Sequence, residues 1–363
     1  DYSIYLPLLN LLKADTFFDL SIIAFGTHLS EFHGNTVNAI LQDGFDVPIR
    51  INTLPQSDSP TAISKAIGQT VVNFSSLWES HKFDLVFCLG DRYEMFAACA
   101  SSIPFNLKLA HIHGGEKTLG AFDDSFRHAI THMSTMHFAS SEQYRQRIIR
   151  LKESDEEVYN VGALSIDNLK QLKLLSIEEF QARFNINLSI PTILITFHPE
   201  TVSFEKNEMY INELIGALKE VQGYQFVITM PNSDTMGNMV RNQLKSFIAE
   251  CPNAIGVESF GTLGYLSCMK HCAFMLGNTS SGFIEASFFR KYVINLGDRQ
   301  NGRIVTPNIN VCLIQKGAIL KAVQDYLTYV PASSVEIYGN GNAAENIIHI
   351  LKNKHDQDHR SYN

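Results

Sequence analysis

The chain has 363 residues, of which 45% are apolar and 18% charged, with a formal net charge of −8. That length exceeds what one hydrophobic core usually serves, so two domains are expected. The acidic balance, with no concentrated basic face, argues against a nucleic-acid or membrane-surface binder, and any anionic ligand would have to be held by a few local groups.

In chain order, the opening YSIYLPLL reads as the start of a helix with no strand before it, so the N-terminal domain is expected to lack its first strand. Short apolar runs then alternate with helix-like segments, the pattern of parallel sheets covered by helices on both faces. Strands are predicted at 20–25, 47–51, 85–89, 109–112, 137–139 and 158–161, and then at 193–197, 225–229, 255–257, 274–276, 293–296 and 310–313. Residues 168–188 are polar and helix-prone and read as a connector, 344–352 as a returning helix, and 354–363 as a frayed tail. The expected fold class is α/β, with two Rossmann-like domains facing each other across a cleft. Residues 1–165 would form the first domain and 166–342 the second, with 343–363 a C-terminal helix returning to the first, plus a tail. The six cysteines form no CxxC spacing and read as reduced, buried thiols of a cytoplasmic protein. No signal peptide is visible, and no apolar run reaches the length of about 18 residues that a membrane span needs.

In open α/β sheets ligands bind beyond the carboxyl ends of the strands, and those positions are polar here. They read Gly90-Asp91-Arg92-Tyr93-Glu94, His111-Ile112-His113-Gly114-Gly115-Glu116, His198-Pro199-Glu200, Pro231-Asn232-Ser233-Asp234, Gly277-Asn278-Thr279-Ser280-Ser281-Gly282 and Asp298-Arg299-Gln300-Asn301-Gly302-Arg303. If the two halves face each other, these loops converge on one cleft. The small hydroxyl residues of 277–282, at an expected helix start, suit a phosphate with Arg299 and Arg303 entering from the next loop; they equally suit ordinary Ser/Thr capping. Glu285, expected a few residues into that helix, suits a ribose diol or a solvated surface. Walker A, GxGxxG and GxSxG patterns are absent, which weighs against ATP, NAD and a serine nucleophile.

Within HIHGGEKTLGAFDDSFRHAITHMS (111–134), Asp123 or Asp124 can cap the helix after Gly120, and Asp124 can pair with Arg127 at i, i+3. His128 and His132 resemble half of a zinc site, but HExxH is missing and no third ligand has diagnostic spacing, so no metal is expected. Asp91, Glu116 and Asp123, close to His111 and His113, can form a general acid/base set.

LGDRYEMFAACA (89–100), the 111–134 stretch, FHPET (197–201), MPNSD (230–234), GNTSSGFIEA (277–286), INLGDRQNGR (294–303) and IYGNGNA (337–343) resemble the hydrolysing UDP-N-acetylglucosamine 2-epimerases of sialic-acid-type sugar biosynthesis. The resemblance spans nearly the whole chain in order. It implies a glycosyltransferase-B type fold, no cofactor or metal, and a UDP-sugar partner in a homodimer or homotetramer. It further implies that Ser3, Arg92, His198, Asn232, Thr279, Ser280, Glu285 and Arg299 hold UDP, with Glu285 on the ribose and Ser280 and Arg299 at the diphosphate. Catalysis would fall to Asp91, His113, Glu116, Asp123, Arg127 and His198, through removal of the C2 proton, loss of UDP to give a glycal, and hydration. Some relatives carry Glu where this chain has His113, so either His113 exchanges protons itself or Glu116 takes over. The same chemistry on UDP-2,4-diacetamido-2,4,6-trideoxyglucose, a non-hydrolysing epimerase, and a UDP-sugar glycosyltransferase or binder are the alternatives.

Overall fold

The computed structural model describes residues 2–31, 34–55, 57–231, 236–331 and 336–361. Its strands are β1 (Ile23–Phe25), β2 (Ile49–Ile51), β3 (Val86–Leu89), β4 (Leu109–Ile112), β5 (Met136–Ala139), β6 (Val158–Asn160), β7 (Thr192–Thr196), β8 (Gln225–Thr229), β9 (Ala254–Val257), β10 (Phe274–Gly277), β11 (Val293–Leu296) and β12 (Ile309–Cys312). Each predicted strand is present within a few residues of its expected limits, and all the pairings are parallel. β1 and β2 are shorter than expected, because Leu20 and Ile22 pack into a small apolar cluster with Val37, Ile40 and Phe45 instead of joining a ladder.

The second half forms a six-stranded sheet in the order β12-β11-β10-β7-β8-β9. This is the doubly wound arrangement, and its switch point lies between β7 and β10, where the connections leave in opposite directions and open a crevice. Both faces are covered, so the strands are continuous apolar runs. Period-two alternation sends Ile193, Ile195, Phe226, Ile228, Phe274 and Leu276 to one face, against Leu214, Leu244 and Ile319. Leu194, Val227 and Met275 go to the other, against Phe180, Cys268 and Met269.

The first half carries the four-stranded sheet β3-β4-β5-β6 and, separately, the β1-β2 pair. Between β1 and β3 lies a mostly apolar cavity of about 860 Å³, lined by residues including Leu8, Ile23, Phe25, Phe74, Trp78 and Val86. His113, Glu116, Asp123 and Arg299 lie outside it. The polar 168–188 segment is ordered into the end of one helix, Leu164–Gln171, and the whole of a second, Ile177–Phe184, opened by a Ser176/Glu179 capping box and closed by left-handed Asn185.

The last helix, Ala343–Ser361, places Ala343, Ala344 and Ile347 in the core formed by Leu8, Leu89, Ile112 and Phe138. Asp167 accepts from the amides of Ala343 and Ala344 at 3.0 and 2.8 Å, satisfying orphan donors at the helix start. The helix continues past 354, where fraying was expected, and Lys354 pairs with Glu157 there. No described helix is long and apolar enough to cross a membrane. All six cysteines are free thiols, and only Cys251 is not buried.

Candidate active site

The segments after β4 and β5 meet those after β7 and β11. Leu119 N donates to Asn301 O at 3.0 Å, Ile304 N donates to the Tyr144 hydroxyl at 3.3 Å, and Phe122 N donates to Thr201 Oγ1 at 2.9 Å. A Cβ at Gly120 would collide with the Asp298 and Arg299 backbone, so glycine permits this approach.

The histidines of the 111–134 stretch have separate fates. His111, inside β4, is buried, and its Nε2 donates to Gly90 O at 2.8 Å because a carbonyl can only accept. Burial pushes its pKa down to about 4, against the pull of that hydrogen bond, so it is a neutral structural tie between neighbouring strand ends. His128 lies 3.4 Å from Asp124. His113 alone leaves the strand, in the left-handed region at φ 63°, a conformation that costs a non-glycine residue about 1–3 kcal/mol and clusters at functional sites.

That backbone places His113 Nδ1 2.7 Å from Glu116 Oε1. Glu116 is almost completely buried: Oε1 also accepts from Ser140 Oγ at 2.8 Å, while Oε2 pairs with Arg303 and lies 3.6 Å from Arg127. Burial alone would raise its pKa, but Arg303, His113 and Arg127 together hold it well below the ordinary carboxylate range. Glu116 is therefore a carboxylate, the hydrogen it accepts sits on His113 Nδ1, and Nε2 carries the lone pair when the ring is neutral. That Nε2 is buried and has no hydrogen-bond partner on the described chain.

Arg127, from the helix Asp123–Met133, donates to His113 O at 3.1 Å and pairs with Asp91. This corrects the expected Asp124–Arg127 pair. Asp124 instead accepts from Thr118 N at 2.8 Å and faces His128. Neither aspartate is the cap: Phe122 holds that position, and both acids lie in the first turn, where they complement the helix dipole. Asp123 is buried, 3.9 Å from Arg299.

On the other side, the ends of β7 and β10 are stitched together by Asn278, a fully buried residue absent from the candidates read from sequence. It accepts from His198 N at 2.7 Å and donates to His198 O at 2.8 Å. Arg299 donates to Pro199 O at 2.6 Å. Gln300 donates to Asn278 O at 2.8 Å and accepts from Arg303 Nε at 2.6 Å. Arg303, expected to enter toward a phosphate, thus turns to Glu116.

The 277–282 loop also differs from expectation. Gly277 crosses Thr196 closely at φ 147°, Thr279 caps a single 3-10 turn (Ser280–Gly282), and the α-helix that follows is only Glu285–Phe288. The dipole of so short a helix is small. Glu285 opens that helix rather than lying within it. Burial raises its carboxyl pKa, opposed by its own backbone amide, Ser165, His113 and Arg303.

Arg92 caps the helix Tyr93–Ser102 with its guanidinium over the Tyr93 ring and its Nε 3.5 Å from Glu94. Ser3 lies in the first helix, its carbonyl accepting from Asn168 Nδ2 at 2.6 Å. Asn232 lies outside the described residues. The structure therefore gathers Asp91, His113, Glu116 and Arg127 around one polar centre, adds Ser140 and Arg303 to it, continues from Arg303 through Gln300 to Asn278, and sets Asp123 and Arg299 as a separate pair.

Residues 10–352 match the family described as UDP-N-acetylglucosamine 2-epimerase. A Legionella pneumophila protein named UDP-N,N'-diacetylbacillosamine 2-epimerase (hydrolyzing) is 32% identical, covering 97% of this chain and 93% of its own. The polysialic acid biosynthesis protein P7 of Escherichia coli is also 32% identical, over 97% of this chain and 91% of its own. A Methanocaldococcus jannaschii UDP-GlcNAc 2-epimerase, solved with UDP-GlcNAc and UDP, superposes with a TM-score of 0.82 at 18% identity, covering 97% of this chain and 96% of that one. At that identity the likeness speaks to the fold, and it accords with two Rossmann-like domains facing each other across a cleft. From the family match over most of its length and these relatives, the chain belongs to the UDP-N-acetylglucosamine 2-epimerase family.

Proposed function

We propose that this protein is a hydrolysing 2-epimerase that converts UDP-N-acetylglucosamine and water into N-acetylmannosamine and UDP. The observation that carries the reading is the His113–Glu116 pair: a buried carboxylate fixes the imidazole tautomer and leaves Nε2 buried and free to take a proton. In the first stage Nε2 removes the C2 proton, the C2–H electrons form the C1–C2 double bond, and the C1–O bond breaks with its pair passing to UDP. Water then adds its hydroxyl to C1 while a proton returns to the opposite face of C2. Oxidation state is conserved, so the balance calls for no redox partner. Asp123 serves the second proton transfer, and Arg127 holds Asp91 and the His113 backbone in register.

UDP would lie in the switch-point crevice, against His198, Asn232, Thr279, Ser280 and Arg299, with Arg92 and Ser3 contributing from the first half. Glu285 Oε2 is buried and makes no hydrogen bond of ordinary geometry within the described chain, with the Ser165 hydroxyl near the carboxylate, a fit for a ribose hydroxyl. Incubation with UDP-GlcNAc, followed by chromatography for UDP and NMR of the sugar, tests the proposal; failure to release UDP would defeat it. The Legionella relative supports a second reading, the same reaction on the 2,4-diacetamido-trideoxy sugar, which competition between the two substrates distinguishes.

A further inference from the structure

We infer that Arg303 is a positioning residue that couples occupation of the 277–282 loop to the geometry of His113. The inference rests on the UDP-sugar reading of the site. A continuous buried polar chain joins the two regions. Asn278 holds the His198 backbone and accepts from Gln300, Gln300 accepts from Arg303 Nε, Arg303 pairs with Glu116, and Glu116 accepts from His113. Asn278, Gln300, Arg303, Glu116 and His113 are all buried, so water does not compete for these bonds. Glu116 and Arg303 stand 187 positions apart, on loops that dock through the Leu119–Asn301 hydrogen bond, and Ile304 next to Arg303 bonds to Tyr144 of the helix after β5.

The guanidinium is the element that makes this a relay. Its Nε and a terminal nitrogen point to different partners in one rigid plane, so a shift of Gln300 turns the group that holds Glu116. An ammonium can neutralise Glu116 but cannot fix both directions. The ionisable groups around the relay are Glu116, His113, Arg127, Tyr144, Tyr338 and Glu285.

The test compares wild type with Arg303→Lys and Gln300→Met, the second cutting the chain while leaving the Arg303–Glu116 pair in place. UDP affinity is measured by calorimetry, kcat and KM over a pH series, and hydrogen exchange at 113–118 with and without UDP. In both variants UDP affinity should stay within about threefold of wild type, while kcat in Arg303→Lys falls by about tenfold or more and its pH profile shifts, as expected of a misplaced base. UDP should protect 113–118 in wild type and lose that effect in both variants. The inference is overturned by an unchanged kcat and pH profile in Arg303→Lys, by a kcat loss matched by lost UDP affinity, or by UDP-induced protection that is absent from wild type or persists in both variants. If wild type binds UDP but turns over no UDP-sugar, the functional reading fails while the exchange measurement still decides the coupling.

Discussion

Glu116 Oε1 lies 2.7 Å from His113 Nδ1, and on the far side of the ring His113 Nε2 is buried with no partner on the described chain. On the proposed reading the carboxylate orients the ring and the imidazole transfers the proton. His113→Gln should therefore lower kcat by about 10²–10⁴ and leave UDP affinity near wild type. Steady-state kinetics beside UDP calorimetry checks this, and turnover near wild type would return the base to Glu116 or Asp123.

Glu116 also ties stability to pH. Its folded-state pKa is depressed, so its contribution is present above the ordinary carboxylate value of about 4.3 and is lost as pH falls through the lowered one. Glu116→Gln should cost about 3–5 kcal/mol at pH 7, because Arg303 loses its buried countercharge, and should flatten the acid limb of the stability curve. Urea unfolding of both proteins across pH 3–7, a range set by the carboxylate reference values, reads both effects.

Glu285 has the opposite sign. Burial raises its pKa, so the folded protein gains stability as pH falls through the raised value, and the ionised form is a burden at neutral pH. Glu285→Gln should raise the Tm of the ligand-free protein at pH 7 while weakening UDP binding by about tenfold or more. A variant that loses both stability and affinity would contradict the ribose assignment.

Asp123, buried beside Arg299, is the proposed second proton carrier. Asp123→Asn should abolish turnover with UDP still bound, measured by UDP release and calorimetry on the same preparation; persistent turnover would remove Asp123 from the scheme.

Gly120 lets the two loops touch. A Cβ there meets the Asp298 and Arg299 backbone, which cannot swing aside as a side-chain tip can, so Gly120→Ala should reduce both kcat and UDP affinity by displacing Arg299 from Asp123 and from the proposed UDP site. Kinetics with calorimetry separates this from a general loss of folding.

Much of this arrangement was legible in the sequence, for identifiable reasons. β7, β8 and β10 are covered on both faces and so read as unbroken apolar runs, and the polar residues directly after them mark the strand ends where a doubly wound sheet binds ligands. The partners of those polar residues were harder to read. Arg303 and Glu116 meet only because loops from the two halves dock. The different fates of His111 and His113 depend on the left-handed backbone at His113, which the neighbouring glycines hint at but do not specify. Asp124 fits the i, i+3 rule with Arg127, yet Asp91, from another strand end, takes that arginine. The helix at Glu285 is only four residues long, and the Ser/Thr run before it forms a separate 3-10 turn that the sequence pattern does not distinguish from a helix start.

The most direct measurement of the central claim is the reaction of UDP-GlcNAc with the protein in D₂O, followed by NMR and chromatography. The account predicts UDP in equal amount to N-acetylmannosamine carrying deuterium at C2. Recovery of UDP-N-acetylmannosamine with the nucleotide still attached, or a released sugar that keeps its original C2 hydrogen, would contradict it.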